Sequence, residues 1–226
     1  MQDKTGQQLI DELFAAGERP PRKLMEEIIA RPAETVPLLI DIVRDESLQF
    51  FEAKGGGWAP IHAMRLLGEM RSEEGIEALL GLLGQESDYL YEETPVALAM
   101  IGPPAVRPLM DFARDRTNEL YARINACHTL TYLVARHPEQ REAVVSFLRE
   151  ELGGDGEDAP DYYAFIVAYL CDLVVEEARP DIERAFERGI VSTEVVTLDD
   201  VAEDMASGED WMLQQARRKS FLDKYK

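Results

Sequence analysis

Histidine and cysteine are the residue types most often used for catalysis and metal binding, and this chain contains few of either. None of its three histidines, His62, His128 and His137, lies in an HExxH motif or four residues from another potential ligand on one helical face. His62 and His128 fall inside segments with an apolar helical pattern, so we expect them to be hydrogen-bonded helix histidines. A catalytic or metal-binding role is the alternative.

The thiols and the acidic pairs also have simple structural interpretations. Cys127 and Cys171 lie far outside the spacing of a zinc or redox pair, and their apolar surroundings predict buried, reduced thiols. Acidic pairs such as Glu92–Glu93 are numerous, but a chain with 44 acidic residues contains many by chance. We therefore expect these pairs to be surface charge. The sequence predicts no catalytic residue, no metal site and no cofactor.

Two glycine-containing stretches are similar to ligand-binding loops but lack their context. Gly55 to Gly57 precede a helix without following a recognisable strand, which argues against a phosphate-binding loop. These glycines permit a backbone path closed to other residues, and either they pack Trp58 across a neighbouring hairpin or they present it to a ligand. The acidic stretch 153–160 has Pro160 where an EF-hand loop needs glycine, which favours a solvated linker over a calcium site.

The charge of the chain argues against several classes of partner. With 44 acidic and 24 basic residues the net charge is −20, which repels phosphate backbones and anionic lipid surfaces. We predict no nucleic-acid or membrane partner; solubility is the simplest role of the charge, and recruitment of basic partners is the alternative. The most apolar stretch, Tyr162 to Val175, is shorter than the roughly 20 residues that span a bilayer. The start of the chain lacks signal-peptide features, so a cytoplasmic location is expected.

The apolar pattern predicts helices arranged as repeated pairs. From Trp58 to Leu83, apolar residues recur at helical spacing on both sides of the polar turn Arg71 to Gly75, as in an antiparallel helical hairpin. One hairpin cannot bury both of its apolar faces alone, so the pairs are expected to stack. Similar second helices recur roughly 30 to 41 residues apart, as VPLLIDI, EALLGLL, RPLMDFA, EAVVSFL and PDIERAF.

These second helices carry a resemblance to a known repeat family. VPLLIDI, ALLGLL and RPLMDFA, each after a break marked by Pro or Gly, resemble HEAT-like repeats, including the short type found in bilin lyases. The resemblance covers about residues 21–189 and implies an α-solenoid that mostly serves as a scaffold. GGGWAPIHAMRLLGE is also similar to an uncharacterised bacterial HEAT-like family, which implies no function. The uneven repeat length departs from a regular superhelix.

We predict an all-α, right-handed solenoid of about five helical hairpins with unequal caps. Residues 1–189 form the solenoid with an N-terminal capping helix, and residues 190–226 form a C-terminal capping segment. In this segment the β-branched stretch 190–196 is expected to be extended, and Thr197 with Asp200 to cap a helix. The last helix begins at Trp211 and ends in the basic run Arg217, Arg218 and Lys219.

The expected function is a non-enzymatic interaction scaffold, because the repeats explain most apolar residues and leave no convergent polar set for catalysis. The alternative, from the repeat type alone, is a lyase or lyase-accessory protein of the bilin-lyase kind. Second helices of stacked hairpins commonly line a concave surface. We expect a protein or peptide partner there, contacting Trp58, Glu77, Arg107 and Asp111. Arg65, on the first-helix side, is expected to lie outside the binding surface.

Overall fold

The structure, a computed structural model, describes residues 4–85, 88–208, 210–217 and 220–226. Every regular element within these ranges is a helix and none is a strand, so the prediction of an all-α protein is confirmed. Backbone contacts divide the chain into two compact units. Unit 1 comprises residues 1–105 and 219–226, and unit 2 comprises residues 106–218.

Unit 1 is built around its fourth helix, α4. The described helices of this unit are α1 (Gly6–Ala16), α2 (Arg22–Ile29), α3 (Pro32–Arg44), α4 (Trp58–Glu69), α5 (Ile76–Leu80) and α6 (Asp88–Ile101). Helix α4 packs against α3, α6 and the 3-10 helix Phe221–Lys224, which belongs to the C-terminal segment, residues 220–226. Its residues from Ala59 to Gly68 are all buried. A helix that is covered on every side has to form the core of its unit rather than an outer face.

Two glycines allow α4 to occupy this central position. Gly57, directly before the helix, has a φ of 78°, a left-handed conformation that is unfavourable for residues with a Cβ. Gly68 lies so close to α6 that an added Cβ would be 3.0 Å from the Cα of Ala97. Gly57 therefore sets the direction in which α4 starts, and Gly68 permits the close approach of α4 to α6.

Unit 2 has a similar organisation around α8. Its described helices are α7 (Val106–Arg114), α8 (Leu120–Arg136), α9 (Arg141–Leu152), α10 (Pro160–Asp172), α11 (Arg179–Glu187), α12 (Leu198–Ser207) and α13 (Trp211–Ala216). Helix α8 packs against α7, α9, α10 and α13, and it is buried almost continuously from Ala122 to Ala135. Of the basic run after α13, Arg218 and Lys219 lie outside the described residues.

Short 3-10 turns join the two helices of four of the predicted hairpins, at Glu73–Gly75, Pro103–Ala105, Pro138–Gln140 and Glu176–Ala178. Two of these connections begin in the same way. Arg71 after α4 and Val174 after α10 both have a φ of 53°. In each case the amide of the next residue donates to a carbonyl near the end of the helix at 3.0 Å. This Schellman-type ending satisfies terminal carbonyls and turns the chain into the following helix.

The structure differs from the sequence-based expectation at two places. Helix α5, expected to continue to Leu83, ends at Leu80 and is followed by a turn over residues 81–84. Glycines at both ends of this turn weaken helix continuation. Residues 190–196, expected to be extended, contain a turn at 193–195. The described chain contains no strand with which these β-branched residues could pair, so their β preference has no partner to stabilise it.

The capping prediction for α12 is confirmed. The Thr197 hydroxyl accepts a hydrogen bond from the Asp200 amide at 3.2 Å. The Asp200 carboxylate accepts one from the Thr197 amide at 2.8 Å. This reciprocal arrangement satisfies two backbone donors that the first turn of a helix otherwise leaves without a partner.

Candidate ligand-binding site

A cleft of about 490 Å³ lies in unit 1 beside the first residue of α4. We call it the Trp58 cleft. Its size falls within the range of about 300–1,000 Å³ that is usual for small-ligand sites. Four parts of the chain meet there, namely the loop after α1, helix α4, helix α6 and the C-terminal segment. The lining residues are Glu18, Arg19, Pro20, Trp58, Arg65, Tyr89, Lys224, Tyr225 and Lys226.

A buried ion pair between Arg65 and Glu93 supports the cleft. Nε and Nη2 of Arg65 donate to the two carboxylate oxygens of Glu93 at 2.5 and 2.8 Å, and the side chains are only 6% and 3% exposed. Lys224 Nζ donates to the same carboxylate at 2.5 Å. Burial disfavours the charged form of Glu93, but the hydrogen bonds from Arg65 and Lys224 outweigh it and hold the pKa of this carboxyl below its usual range. Two cations therefore share one ionised carboxylate.

His62 connects this ion pair to the C-terminal segment. Its Nε2 lies 3.0 Å from the Gly17 carbonyl oxygen and must carry the proton, because a carbonyl can only accept. Nδ1 therefore accepts a hydrogen bond from the Tyr225 hydroxyl at 2.8 Å, and the Tyr225 oxygen accepts one from Arg65 Nη1 at 3.3 Å. Burial lowers the pKa of His62 to about 4, so the ring is neutral near pH 7. The prediction of a hydrogen-bonded helix histidine is confirmed here.

The C-terminal segment is fixed to α4 by the carboxylate of Glu69. One oxygen of this carboxylate accepts hydrogen bonds from the Ser220 hydroxyl at 2.7 Å and from the amides of Phe221 and the residue after it. The Phe221 side chain is fully buried. These contacts place Lys224 and Tyr225 in the wall of the Trp58 cleft.

Trp58 takes an intermediate position between core and surface. The three glycines before it have φ values of 80°, 67° and 78°, so the loop follows a path that other residues rarely adopt. The half-buried Trp58 ring stacks on His62 at 6.1 Å between centroids and lies 5.2 Å from the ring of Tyr89. Tyr89 is 47% exposed. The sequence left two roles open for Trp58, packing on a neighbouring hairpin or presentation to a ligand. The ring packs on His62 and Tyr89, and it also lines the cleft.

The other expected contact residues do not line this cleft. Glu77 is exposed on α5 in unit 1. Arg107 and Asp111 belong to α7 in unit 2, where they form an exposed ion pair at 2.8 Å. The structure thus pairs Arg107 with Asp111 along one helix, while Trp58 lies among a different set of residues.

Two charged residues are buried in unit 1. Arg65 is buried and lines the Trp58 cleft, because α4 is covered by other elements on every side. Its expected place outside the binding surface stays a prediction. The expectation for Glu93 is wrong. Glu93 was expected to be surface charge, but it is 2% exposed, whereas its neighbour Glu92 is exposed.

The sequence contains a signal for Glu93 but none for its partners in the C-terminal segment. Glu93 lies three residues after Leu90 and four before Ala97, both buried, so it falls in the apolar stripe of α6. An acid within such a stripe indicates a buried cation nearby. Lys224 and Tyr225 carry no comparable signal, because their partners Glu93 and His62 are 131 and 163 positions away in the chain.

Unit 2 confirms the interpretation of the thiols. Cys127 and Cys171 are buried and form no disulfide, and burial raises the pKa of each thiol to about 12, so both are protonated. In the linker 153–160, Asp158 forms a buried ion pair with Arg123 at 2.6 Å. Within the described ranges, no group of three or more histidine, cysteine or acidic residues is arranged to hold a metal ion.

Elsewhere in unit 2, the surroundings of the Asp172 carboxyl disfavour its ionised form. Asp172, Asp204 and Asp210 line a cavity of about 300 Å³. Burial, followed by the negative charges of Asp210 and Asp204, raises the pKa of Asp172 to about 7. This carboxyl is therefore about half protonated at pH 7 in the folded protein.

Comparison with known proteins places the chain in a family. The family described as protein of unknown function (DUF1186) matches residues 6–225. The chain belongs to this family. An uncharacterized protein of Chlamydia trachomatis serovar D is 23% identical to this DUF1186 protein over 201 residues, which cover 80% of this chain and 76% of the relative. No solved structure matches the chain at a significant level.

The family match includes both units and nearly the whole Trp58 cleft, from Glu18 to Tyr225. Among the described residues of this DUF1186 protein, no helix has both the length and the apolar character needed to cross a bilayer.

Proposed function

We propose that this protein is a non-enzymatic interaction module that binds a protein or peptide partner through the Trp58 cleft. The observation that carries the proposal is the half-buried Trp58 ring, which lines one cleft together with cationic side chains. Trp, Tyr and Arg are the residue types enriched at binding hot spots, where a rigid ring fills a pocket on the partner or receives one of its side chains. Trp58, Tyr89 and Arg65 supply all three types here.

The contacts around the cleft favour binding over proton transfer. Both ring nitrogens of His62 are engaged, one with Gly17 and one with Tyr225. The Glu93 carboxylate is engaged with two cations. A general acid or base has to exchange a proton with its substrate, and these groups are already committed to one another. Such saturation instead supports a rigid recognition surface with little reorganisation on binding.

We also propose that the helical pairs stack as a right-handed, HEAT-like solenoid. The recurrence of a short 3-10 turn between the helices of four pairs supports a repeated unit. In this proposal the second helices α5 and α7 present Glu77, Arg107 and Asp111 to the partner beyond the Trp58 cleft. The alternative of a lyase or lyase-accessory protein of the bilin-lyase kind rests on the repeat resemblance alone. An absorbance band that appears on mixing the protein with free bilin favours that alternative.

The test is selection of short random peptides, displayed on phage, against the immobilised full-length chain. We expect enriched peptides whose binding is lost in Trp58→Ala. The matched control is Trp211→Ala on α13, since Trp211 is 63% exposed and belongs to unit 2. This control is expected to retain binding. Peptides that bind equally well to Trp58→Ala, or the absence of any enrichment, contradict the proposal.

A second arm tests the wider surface. If the partner also contacts the second helices, Arg107→Glu weakens binding of a partner protein without unfolding the chain, because Arg107 is exposed. Arg65 is unsuitable as a control because its substitution breaks a buried ion pair. Lys23 on α2 is a better choice, since its side chain is 82% exposed. Loss of binding in Lys23→Glu with retention in Arg107→Glu argues against the second-helix surface.

A further inference from the structure

The Trp58 cleft is cationic in a chain that is strongly acidic overall. Its lining includes Arg19, Arg65, Lys224 and Lys226. Glu18 is the acidic residue of the lining, while the carboxylates of Glu93 and Glu69 lie behind it and bind Arg65, Lys224 and the C-terminal segment. Positive charge therefore exceeds negative charge among the lining residues, although the chain as a whole has a net charge of −20. A positively charged cleft on an acidic protein favours a ligand with an anionic group.

The cations offer hydrogen-bond donors beyond those used in the protein. Lys224 Nζ donates one hydrogen bond to Glu93, and an ammonium group has three N–H donors. Its side chain is 38% exposed, so water or a ligand can reach the remaining donors. Arg19 is 87% exposed and its ion pair with Glu18 is long, at 3.7 Å. Lys224 is thus a positioned donor in the wall, and Arg19 is an adaptable one at the rim.

The aromatic residues define the second half of the recognition site. The rings of Trp58 and Tyr89 lie 5.2 Å apart at an angle of 57° and border the same cleft as the cations. Aromatic faces attract flat or apolar groups, and Tyr89 is nearly half exposed. A ligand that fits both the cations and the aromatic rings of the cleft carries an anion next to a flat ring.

We propose that the Trp58 cleft binds an acidic segment of a partner protein, in which Asp or Glu stands beside an aromatic residue or proline. The acidic side chain pairs with Lys224 and Arg19, and the neighbouring ring packs against Trp58 and Tyr89. This inference rests on the proposed function and adds the chemistry of the partner. Adenosine monophosphate presents the same combination of an anion and a flat ring, so it is the competing source that the test has to separate.

The experiment analyses the peptides enriched on the wild-type chain and lost on Trp58→Ala. We expect them to contain Asp or Glu next to Phe, Tyr, Trp or Pro. Replacing the acids of one such peptide by Asn and Gln is expected to weaken its binding, measured by fluorescence anisotropy, by about tenfold. Arg19→Glu and Lys226→Glu are each expected to weaken the acidic peptide by a similar factor, about tenfold. Both residues are exposed, so the fold is retained, as circular dichroism can verify.

Lys23→Glu is the matched control, because Lys23 is exposed and does not line the cleft. Trp58-dependent peptides without acids, or acidic peptides unaffected by Arg19→Glu and Lys226→Glu, overturn this inference and leave the proposed function intact. The absence of any Trp58-dependent peptide overturns both. Tighter binding of adenosine monophosphate than of every selected peptide, with the same dependence on Arg19, overturns the assignment to a protein segment.

Discussion

The hydroxyl of Tyr225 lies 2.8 Å from Nδ1 of His62, although the two residues are 163 positions apart. This hydrogen bond joins the C-terminal segment to the central helix of unit 1. Because the same hydroxyl also accepts from Arg65, one oxygen atom satisfies two buried groups on α4. The wall of the Trp58 cleft therefore depends on a contact that completes the core of the unit.

Removing this hydroxyl in Tyr225→Phe is expected to lower the free energy of unfolding by about 1–3 kcal/mol, because it leaves buried donors and acceptors without a partner. Urea denaturation followed by circular dichroism measures the change. Tyr121→Phe is the control, since Tyr121 is 51% exposed, and it is expected to have little effect. Equal effects of the two substitutions contradict the assigned role of the hydrogen bond.

Arg65→Met is expected to destabilise the protein by about 3–5 kcal/mol, because it leaves the buried charge of Glu93 with Lys224 as its remaining cationic partner. Arg107→Met, at the exposed pair with Asp111, is expected to cost at most about 1 kcal/mol. Thermal and urea unfolding compare the two variants. In the double variant Arg65→Met, Glu93→Leu, part of the stability is expected to return, because the buried carboxylate is removed together with its main partner. If Arg65→Met costs no more than Arg107→Met, the buried pair has no special importance.

The neutral, buried His62 predicts a loss of stability in acid. The pKa of His62 is about 4 in the folded protein, compared with 6.5 for the free side chain, so the unfolded chain takes up a proton first as the pH falls. The stabilising contribution is present above pH 6.5 and is lost progressively down to pH 4, with about 2 kcal/mol lost between pH 7 and pH 5.

Urea unfolding at several pH values measures this loss, and NMR titration of the ring protons reports the pKa of His62 directly. His62→Gln is expected to reduce the dependence on pH in this range. A ring titration near pH 6.5 in the folded protein would show that the site is hydrated rather than buried.

Asp172 predicts a dependence on pH of the opposite sign. Its pKa is about 7 in the folded protein and 3.8 in the free side chain, so the unfolded state ionises first as the pH rises. The contribution of this group to stability therefore falls between pH 4 and pH 7 and is constant above that range. Asp172→Asn is expected to raise the free energy of unfolding by about 4 kcal/mol at pH 8 and by about 2 kcal/mol at pH 5. Thermal unfolding at the two pH values measures the difference.

The control for this prediction is Glu203→Gln on α12, where the carboxylate is exposed. It is expected to change stability little at either pH. A gain in Asp172→Asn that is the same at pH 5 and pH 8 would contradict the raised pKa.

Local sequence was sufficient to determine the helical character of this protein and much of its interior. Apolar residues at helical spacing create a continuous stripe that has to be buried, whatever the stripe packs against. For the same reason the burial of Cys127 and Cys171 could be predicted, since each lies within such a stripe. The cap formed by Thr197 and Asp200 depends on residues three positions apart, so it could also be predicted from the sequence.

The composition of the Trp58 cleft could be seen only in the tertiary structure. Arg65 and Glu93 belong to different helices, and Lys224 and Tyr225 reach them from the end of the chain. Periodicity shows which face of a helix is buried but not which distant side chain lies opposite, because that pairing depends on how the segments meet in three dimensions. Arg65 shows the limit most clearly, because its burial depends on Glu93, which lies on another helix at hydrogen-bond distance.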